Sequence, residues 1–291
     1  MIKLIAVDMD GTLLDAKKEI SPSTVEMIRK ANENGIEFMI TTGREYEMVK
    51  DLLDKNKLKC SCILMNGAEY RDINGIVLGE LGMDANRARR IIEILQKEKI
   101  VSRIYTEKGV FTLESREDAL QEMTYRAKSF FPELSEEESV EKALHEPFFL
   151  ALQYVDHDHV EEFLNTMSIK KFVAFHKDVD LLDKTKKILR EIPNIAVSSS
   201  FRDNMELTDV RAQKGLVLKK VILDMGLKEE EVMVMGDSFN DETMFLEFTH
   251  SVAMGNAIDE IKAMAKYITK RNDEDGVAFA MKQVLDNVWG Q

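Results

Sequence analysis

Four short runs of this chain are almost unbroken in apolar character: Leu4 to Val7, Ile36 to Ile40, Cys62 to Met65 and Val232 to Met235. Such runs fit strands covered on both faces, as in a parallel sheet, whereas strict alternation would mark a sheet with one wet face. Each run stops at small or polar residues: Asp8-Met9-Asp10-Gly11-Thr12, Thr42-Gly43-Arg44, Asn66-Gly67-Ala68 and Gly236-Asp237-Ser238-Phe239-Asn240-Asp241. Between the runs the apolar positions recur at helical spacing. Ser21-Pro22-Ser23 predicts a helix start with a capping serine, and Gly35 its end. Tyr46, Met48, Val49, Leu52 and Leu53 predict a second helix, and Leu216, Val217, Leu218, Val221, Ile222 and Met225, after Lys214-Gly215, a third. The fold class expected is therefore α/β, with a Rossmann-like parallel-sheet core. Right-handed crossovers bring the ends of parallel strands to one sheet edge, so Asp8, Thr42 and Asn66 are expected near one another, with a pocket beyond them.

The rhythm changes from about Met83. Asn74-Gly75 between short apolar runs predicts a two-residue hairpin turn just before the change. Asp84 caps a predicted helix through Lys99, followed by strands at Val101 to Thr106 and Val110 to Leu113. A charged helical region from Arg116 to Leu144 follows, in which Glu136-Glu137-Glu138 suits the first turn of a helix. Further expected elements are a strand at Phe148 to Val155, a helix at Val160 to Met167, a strand at Lys171 to His176, a helix at Lys184 to Arg190, and strands at Ile195 to Ser200 and Met205 to Leu207. The βα rhythm resumes after Asp209. The expected organisation is a core made of residues 1–83 and 210–291, with an α+β insert at 84–209. No Pro-rich or Gly/Ser-rich linker joins the parts, so short hinges near 81–84 and 208–211 are expected.

Composition narrows the function. Forty basic against fifty-three acidic side chains give a net charge of −13, which argues against general nucleic-acid binding and against attachment to an anionic membrane. No leader segment and no run of about eighteen apolar residues occurs, so a soluble cytoplasmic protein is expected. Cys60 and Cys62, two apart in a predicted strand, make a poor disulfide and are too few for a zinc site. His157 and His159 resemble a metal pair only superficially, since no third ligand lies nearby in sequence.

The strand ends supply the chemistry. Asp8 and Asp10, two apart, Asp237 from another strand and Lys214 beside a glycine offer hard oxygen ligands for Mg²⁺ and a cation for a phosphate. A strand-end carboxylate that touches both metal and substrate can attack phosphorus, which frees the second carboxylate for acid–base work. A calcium loop fits less well, because a strand leads into Asp8 and Leu14 and Ala16 hold its seventh and ninth places.

Asp8-Met9-Asp10-Gly11-Thr12, Thr42-Gly43-Arg44, Lys214-Gly215 and Gly236 to Asp241 resemble, in that order, the four motifs of the haloacid dehalogenase-like phosphohydrolases. Asn66-Gly67-Ala68, Met254-Gly255-Asn256-Ala257 and Asp273 to Val277 resemble the Cof-type phosphatase subfamily, whose large α+β cap is inserted where residues 84–209 stand. The resemblance implies a Mg²⁺-dependent phosphatase acting on small phosphorylated metabolites, as a monomer or homodimer. It implies Asp8 as nucleophile and metal ligand, and Asp10 as proton carrier that lends its backbone carbonyl to Mg²⁺. Thr42 and Lys214 would hold the phosphoryl group and Asp237 would complete the metal ligands. Met9, Gly43, Arg44, Asn66 and Asn240 would contact phosphate or substrate, with Asp241 in support. An aspartate rather than a threonine at position 10 favours ester hydrolysis or phosphomutase chemistry over ATPase chemistry. A sugar phosphomutase and a non-catalytic phospho-ligand sensor are the alternative expectations.

Overall fold

The computed structural model describes residues 1–290. In chain order the first elements are β1 (Leu4–Asp8), α1 (Pro22–Glu33), β2 (Glu37–Thr41), α2 (Tyr46–Asn56), β3 (Ser61–Leu64), β4 (Glu69–Arg71) and β5 (Val77–Glu80). β1 is buried along its whole length, as its unbroken apolar run requires. Helix α1 starts where Ser21 accepts a hydrogen bond from the Thr24 amide, with Pro22 in the first turn. The connection between β4 and β5 differs from the expected two-residue turn. Ile73 and Asn74 lie at its centre, and Asp72 Oδ1 accepts from the amides of both Asn74 and Ile76. The aspartate side chain captures the turn, and Gly75 takes the positive φ (80°) that follows it.

The middle of the chain forms a compact unit of its own, Gly82–Val210. It contains α3 (Ala85–Lys97), β6 (Ser102–Thr106), β7 (Gly109–Thr112), α4 (Arg116–Phe130), α5 (Glu136–His145), α6 (Pro147–Ala151), β8 (Gln153–Tyr154), α7 (Val160–Thr166), β9 (Ile169–Phe175), α8 (Val179–Arg190), β10 (Ile195–Ser198) and β11 (Asn204–Asp209). Its six-stranded sheet runs β10-β11-β9-β6-β7-β8. Ile104, Phe111, Phe172, Met205 and Leu207 share a buried core with α3, α7 and α8. A smaller cluster of Val110, Ala119, Met123, Ala143 and Phe149 joins α4, α5 and α6. The single charged helical region expected at 116–144 is two helices, because Ser135 starts α5 with a reciprocal capping box to Glu138. The strand expected from Phe148 is mostly helix: Pro147 stands at the first helical position of α6, and only Gln153–Tyr154 pair as a strand. Helix α8 begins at Val179, earlier than expected, under the Asp178 cap.

The second unit comprises Met1–Leu81 and the chain from Arg211 onward. Its later elements are α9 (Lys214–Asp224), β12 (Val232–Gly236), α10 (Glu242–Glu247), β13 (His250–Ala253), α11 (Asp259–Met264), β14 (Tyr267–Ile268) and α12 (Gly276–Leu285). The sheet is eight-stranded, β14-β13-β12-β1-β2-β3-β4-β5, and parallel from β14 to β3. β1 is central, with Leu4 registered against both Val232 and Glu37. The carboxyl ends of β1, β2 and β12 therefore lie side by side, which is the edge where open α/β sheets bind ligands. No helix among the described residues is long and apolar enough to cross a membrane.

Candidate active site

β1 ends at Asp8, which is 3% exposed, and the chain then folds back on itself. The Thr12 and Leu14 amides donate to the Met9 carbonyl, and the Leu13 amide to the Asp8 carbonyl. Gly11 makes this turn possible in two ways. Its φ is +85°, and a Cβ there would stand 2.4 Å from the Asp237 carboxylate. The loop after β1 is thus pressed against the residue that follows β12, and the Thr12 hydroxyl donates to Asp237 Oδ1 at 2.9 Å.

Lys214 is the first residue of α9 and fully buried. Its Nζ reaches Asp8 Oδ1 at 2.5 Å and Asp241 Oδ1 at 2.6 Å. The other Asp241 oxygen accepts from the Asp237 and Ser238 amides, at 2.9 and 3.1 Å. Each oxygen of Asp241 is therefore engaged, one with Lys214 and the other with the turn after β12. Gly215 permits the close helix packing that puts Lys214 here, since a Cβ would fall 2.2 Å from the Thr243 carbonyl.

Asp8, Asp237 and Asp241 offer carboxylate oxygens that all lie within 4.8 Å of one another. Three carboxylates against one ammonium leave the cluster short of two positive charges, which is what one divalent cation supplies. The electrostatic environment of the residues points to the same shortage. Burial first, then the charge of Asp241, pushes the Asp8 carboxyl well above its ordinary range against the pull of Lys214. The same two causes push Asp237 up to about 7, with the Thr12 hydrogen bond opposing them. Burial favours neutral Lys214, but Asp241 and Asp8 outweigh it and raise its pKa.

Asp10 belongs to a different environment. Arg44, on the segment after β2, clasps its carboxylate with Nε and Nη2 at 2.7 Å each, and Lys18 Nζ adds a third contact at 3.0 Å. Burial raises the Asp10 pKa, yet the hydrogen bond and charge of Arg44, aided by Lys18, hold it well below the usual carboxylate range. Two aspartates two apart thus differ sharply: one faces a crowd of carboxylates and the other a pair of cations.

The remaining expected residues surround this edge. Thr42 follows β2, with its amide on the Ile63 carbonyl and its own carbonyl accepting from the Asn66 amide. Its hydroxyl accepts from the Arg44 amide at 3.2 Å, spanning Gly43. Asn66 is buried and follows β3 in a left-handed conformation (φ 58°). Asn240 sits in the short turn between β12 and α10. Met9 is fully buried, and the contact it makes on the loop is through its backbone carbonyl. Four participants were not expected: Lys18, Thr12 as partner of Asp237, and an asparagine pair, Asn256 and Asn272, that bonds the back of the loop. Asn256 stands in a signature visible in the sequence; nothing local singles out Lys18 or Asn272.

Comparison with known proteins agrees with this geometry. The family model for haloacid dehalogenase-like hydrolases matches residues 5–281. The chain is 32% identical over 285 residues to the 5-amino-6-(5-phospho-D-ribitylamino)uracil phosphatase YwtE of Bacillus subtilis, covering 98% of each chain. It is 30% identical over 287 residues to the phosphatase YwpJ of the same organism, covering 98% of this chain and all of that one. Among solved structures, a haloacid dehalogenase-like hydrolase from B. subtilis superposes with a TM-score of 0.85 at 29% identity, over 97% of this chain and 100% of the other. An end-to-end family match, and curated relatives that are phosphatases along their whole length, establish that the chain belongs to the haloacid dehalogenase-like hydrolases, in their Cof-type phosphatase branch.

Proposed function

We propose that this protein is a Mg²⁺-dependent phosphatase that hydrolyses small phosphate monoesters through a phosphoryl intermediate on Asp8. The observation that carries this reading is the cluster of buried Asp8 and Asp241, both bonded to Lys214, with half-buried Asp237 beside them, short of a divalent cation at the carboxyl edge of a parallel sheet. Asp8 and Asp237 each keep one carboxylate oxygen outside the bonds to Lys214 and Thr12, so these two, with the Asp10 backbone carbonyl, are the proposed ligands. When bound, Mg²⁺ would supply charge neutralisation for a phosphoryl group with oxygens spread around phosphorus.

The protein's own groups divide the remaining work. Lys214 neutralises charge beside Asp8, and Thr42 lies at the neighbouring strand end to hold a phosphoryl oxygen. The Asp8 carboxylate attacks phosphorus as the P–O bond to the leaving alkoxide breaks, and Asp10 gives that oxygen a proton. Asp10 then takes a proton from water, which attacks phosphorus and frees Asp8 with release of phosphate. The clasp of Arg44 and Lys18 favours the ionised Asp10 that the second half needs. Protonation for the first half therefore requires the clasp to loosen. Gly43, Arg44, Asn66, Asn240 and the Met9 backbone are proposed substrate contacts.

The unit Gly82–Val210 is proposed to select the leaving group, since none of the cluster residues lies in it. Ribitylamino-pyrimidine phosphates, the substrate class in the name of one relative, belong in the first panel beside sugar phosphates and pyridoxal phosphate. The two buried free thiols, Cys60 and Cys62, suit a reducing cytoplasm, with small esters as the partners and a monomer or homodimer as the working form. The test is phosphate release from a metabolite panel with and without Mg²⁺, by the wild type and Asp8→Asn. The variant is expected to lose Mg²⁺-dependent turnover while keeping its fold, and unchanged turnover overturns the reading. Isomerised sugar phosphate without released phosphate would mark a mutase instead.

A further inference from the structure

The signature Met254-Gly255-Asn256-Ala257 and the segment leading into Asp273 to Val277 contribute no group to the chemistry above, yet both reach the loop after β1. Asn256 Nδ2 donates to the Gly11 carbonyl at 2.8 Å. Its Oδ1 accepts from the Asn272 amide at 2.9 Å, and Asn272 Nδ2 donates to the Leu14 carbonyl at 2.7 Å. One linked pair of amides therefore holds both bends of the loop from behind. The pair is itself anchored. The Gly255 amide donates to the Lys270 carbonyl, and the Ile258 amide to the Asp237 carbonyl, at 2.9 and 3.0 Å. On its front the loop meets Asp237 through Gly11 and the Thr12 hydroxyl.

We propose that Asn256 and Asn272 are positioning residues, a paired-amide brace that fixes the Met9–Leu14 loop so that Asp8 and Asp237 face one another at the spacing a divalent cation needs. The inference rests on the phosphatase reading of that cluster. The residue type is the main physical argument. At position 256 one side chain donates to a carbonyl and accepts from an amide at once, which a carboxamide does through its two ends and an ionised carboxylate, having no donor, does not. A loop bent around a glycine with positive φ has little stiffness of its own, and the two carbonyl bonds supply it.

The test uses the full-length protein as wild type, Asn256→Ala, Asn256→Asp, Asn272→Ala and the double alanine variant. Three quantities are read: metal-free melting temperature, Mg²⁺ affinity from Mg²⁺-dependent thermal stabilisation, and kcat and KM on one good ester. Asn256→Ala is expected to weaken Mg²⁺ binding and lower kcat by about tenfold or more, as loss of an outer partner of a metal site does, with KM changed far less. Asn256→Asp, which keeps the acceptor and loses the donor, should fall at least as far. The double variant should add no more than about threefold to Asn256→Ala, because the two amides act as one unit. Mg²⁺ affinity and kcat within about twofold of wild type overturn the brace, as do losses that merely follow the metal-free melting temperature. Asp8→Asn, run beside them, separates the two ideas. If it turns over normally the phosphatase reading fails, while the Mg²⁺ affinity of Asn256→Ala still decides the brace.

Discussion

Asp8, Asp237 and Asp241 are chemically alike, and their neighbours give each a separate task. Asp241 spends one oxygen on Lys214 and the other on two backbone amides, whereas Asp237 receives one hydroxyl from Thr12 and is pushed up to about 7 by burial and by Asp241. A carboxyl whose folded pKa lies above its unfolded value of about 4 stabilises the fold at low pH and loses that contribution as pH rises through 7. The metal-free protein should accordingly melt at a higher temperature at pH 5.5 than at pH 8, and Mg²⁺ at pH 8 should restore the difference. Asp237→Asn removes the like charge, so it should raise the metal-free melting temperature at pH 8 by about 3 °C and abolish both Mg²⁺ stabilisation and turnover. Thermal scans at the two pH values decide it; a wild type that melts identically at both overturns the account. Asp10 gives the opposite sign. Arg44 and Lys18 hold its carboxyl low, so as a base it works down to low pH. Arg44→Met should move the acidic limb of the kcat profile upward by about one unit or more where hydrolysis of the phosphoryl intermediate, the step in which Asp10 is the base, limits turnover, with Lys18 limiting the shift.

Among the elements, those whose burial is two-sided were readable and those set by a single capture were not. β1 and β12 end in the sequence where they end in space, because an unbroken apolar run followed by Asp-x-Asp or Gly-Asp leaves no other register in a covered parallel sheet. The apolar stretch from Phe148 was ambiguous by period alone, and Pro147 settled it as a helical turn. Asp72 displaced the expected Asn74-Gly75 turn by catching two amides, an event that no count of turn residues reveals. Likewise, the pattern Asp8, Asp10, Lys214, Asp237 pointed to one edge, but the partners of Asp10 and the brace behind Gly11 depend on side-chain directions that span the chain. Helix α9 offers an element-level test. Because a Cβ at position 215 would meet the Thr243 backbone at 2.2 Å, Gly215→Ala must push the start of α9 away from α10. A destabilisation of about 1–3 kcal/mol is expected from such overpacking. Since Lys214 is the adjacent residue, kcat should drop more than the equivalent loss of stability predicts. Denaturant unfolding together with steady-state kinetics checks both, and a variant with wild-type stability and kcat would show that α9 yields without moving Lys214.

At the scale of the molecule, chain connectivity and packing are organised differently. The insert interrupts the sequence between β5 and α9, yet each unit encloses apolar clusters drawn wholly from its own residues. The clusters of Gly82–Val210 join strands to helices within that segment, and its sheet closes on its own hydrogen bonds. A segment with a complete core and a paired sheet has what independent folding needs. Residues 82–210 expressed alone should therefore give a cooperative thermal transition, seen by circular dichroism, that does not respond to Mg²⁺. The described cluster of carboxylates, Asp8, Asp237 and Asp241, lies entirely in the other unit. Conversely, the full chain with that segment replaced by a short Gly-Ser linker should keep Mg²⁺-dependent stabilisation, because Asp8, Asp237, Lys214 and their braces remain. Its rates on different esters should converge, since leaving-group selection is proposed to reside in the missing segment. Retained discrimination among esters would return specificity to Arg44, Asn66 and the strand ends, and Mg²⁺ stabilisation of the excised segment would place a second cation site where no acidic cluster is described.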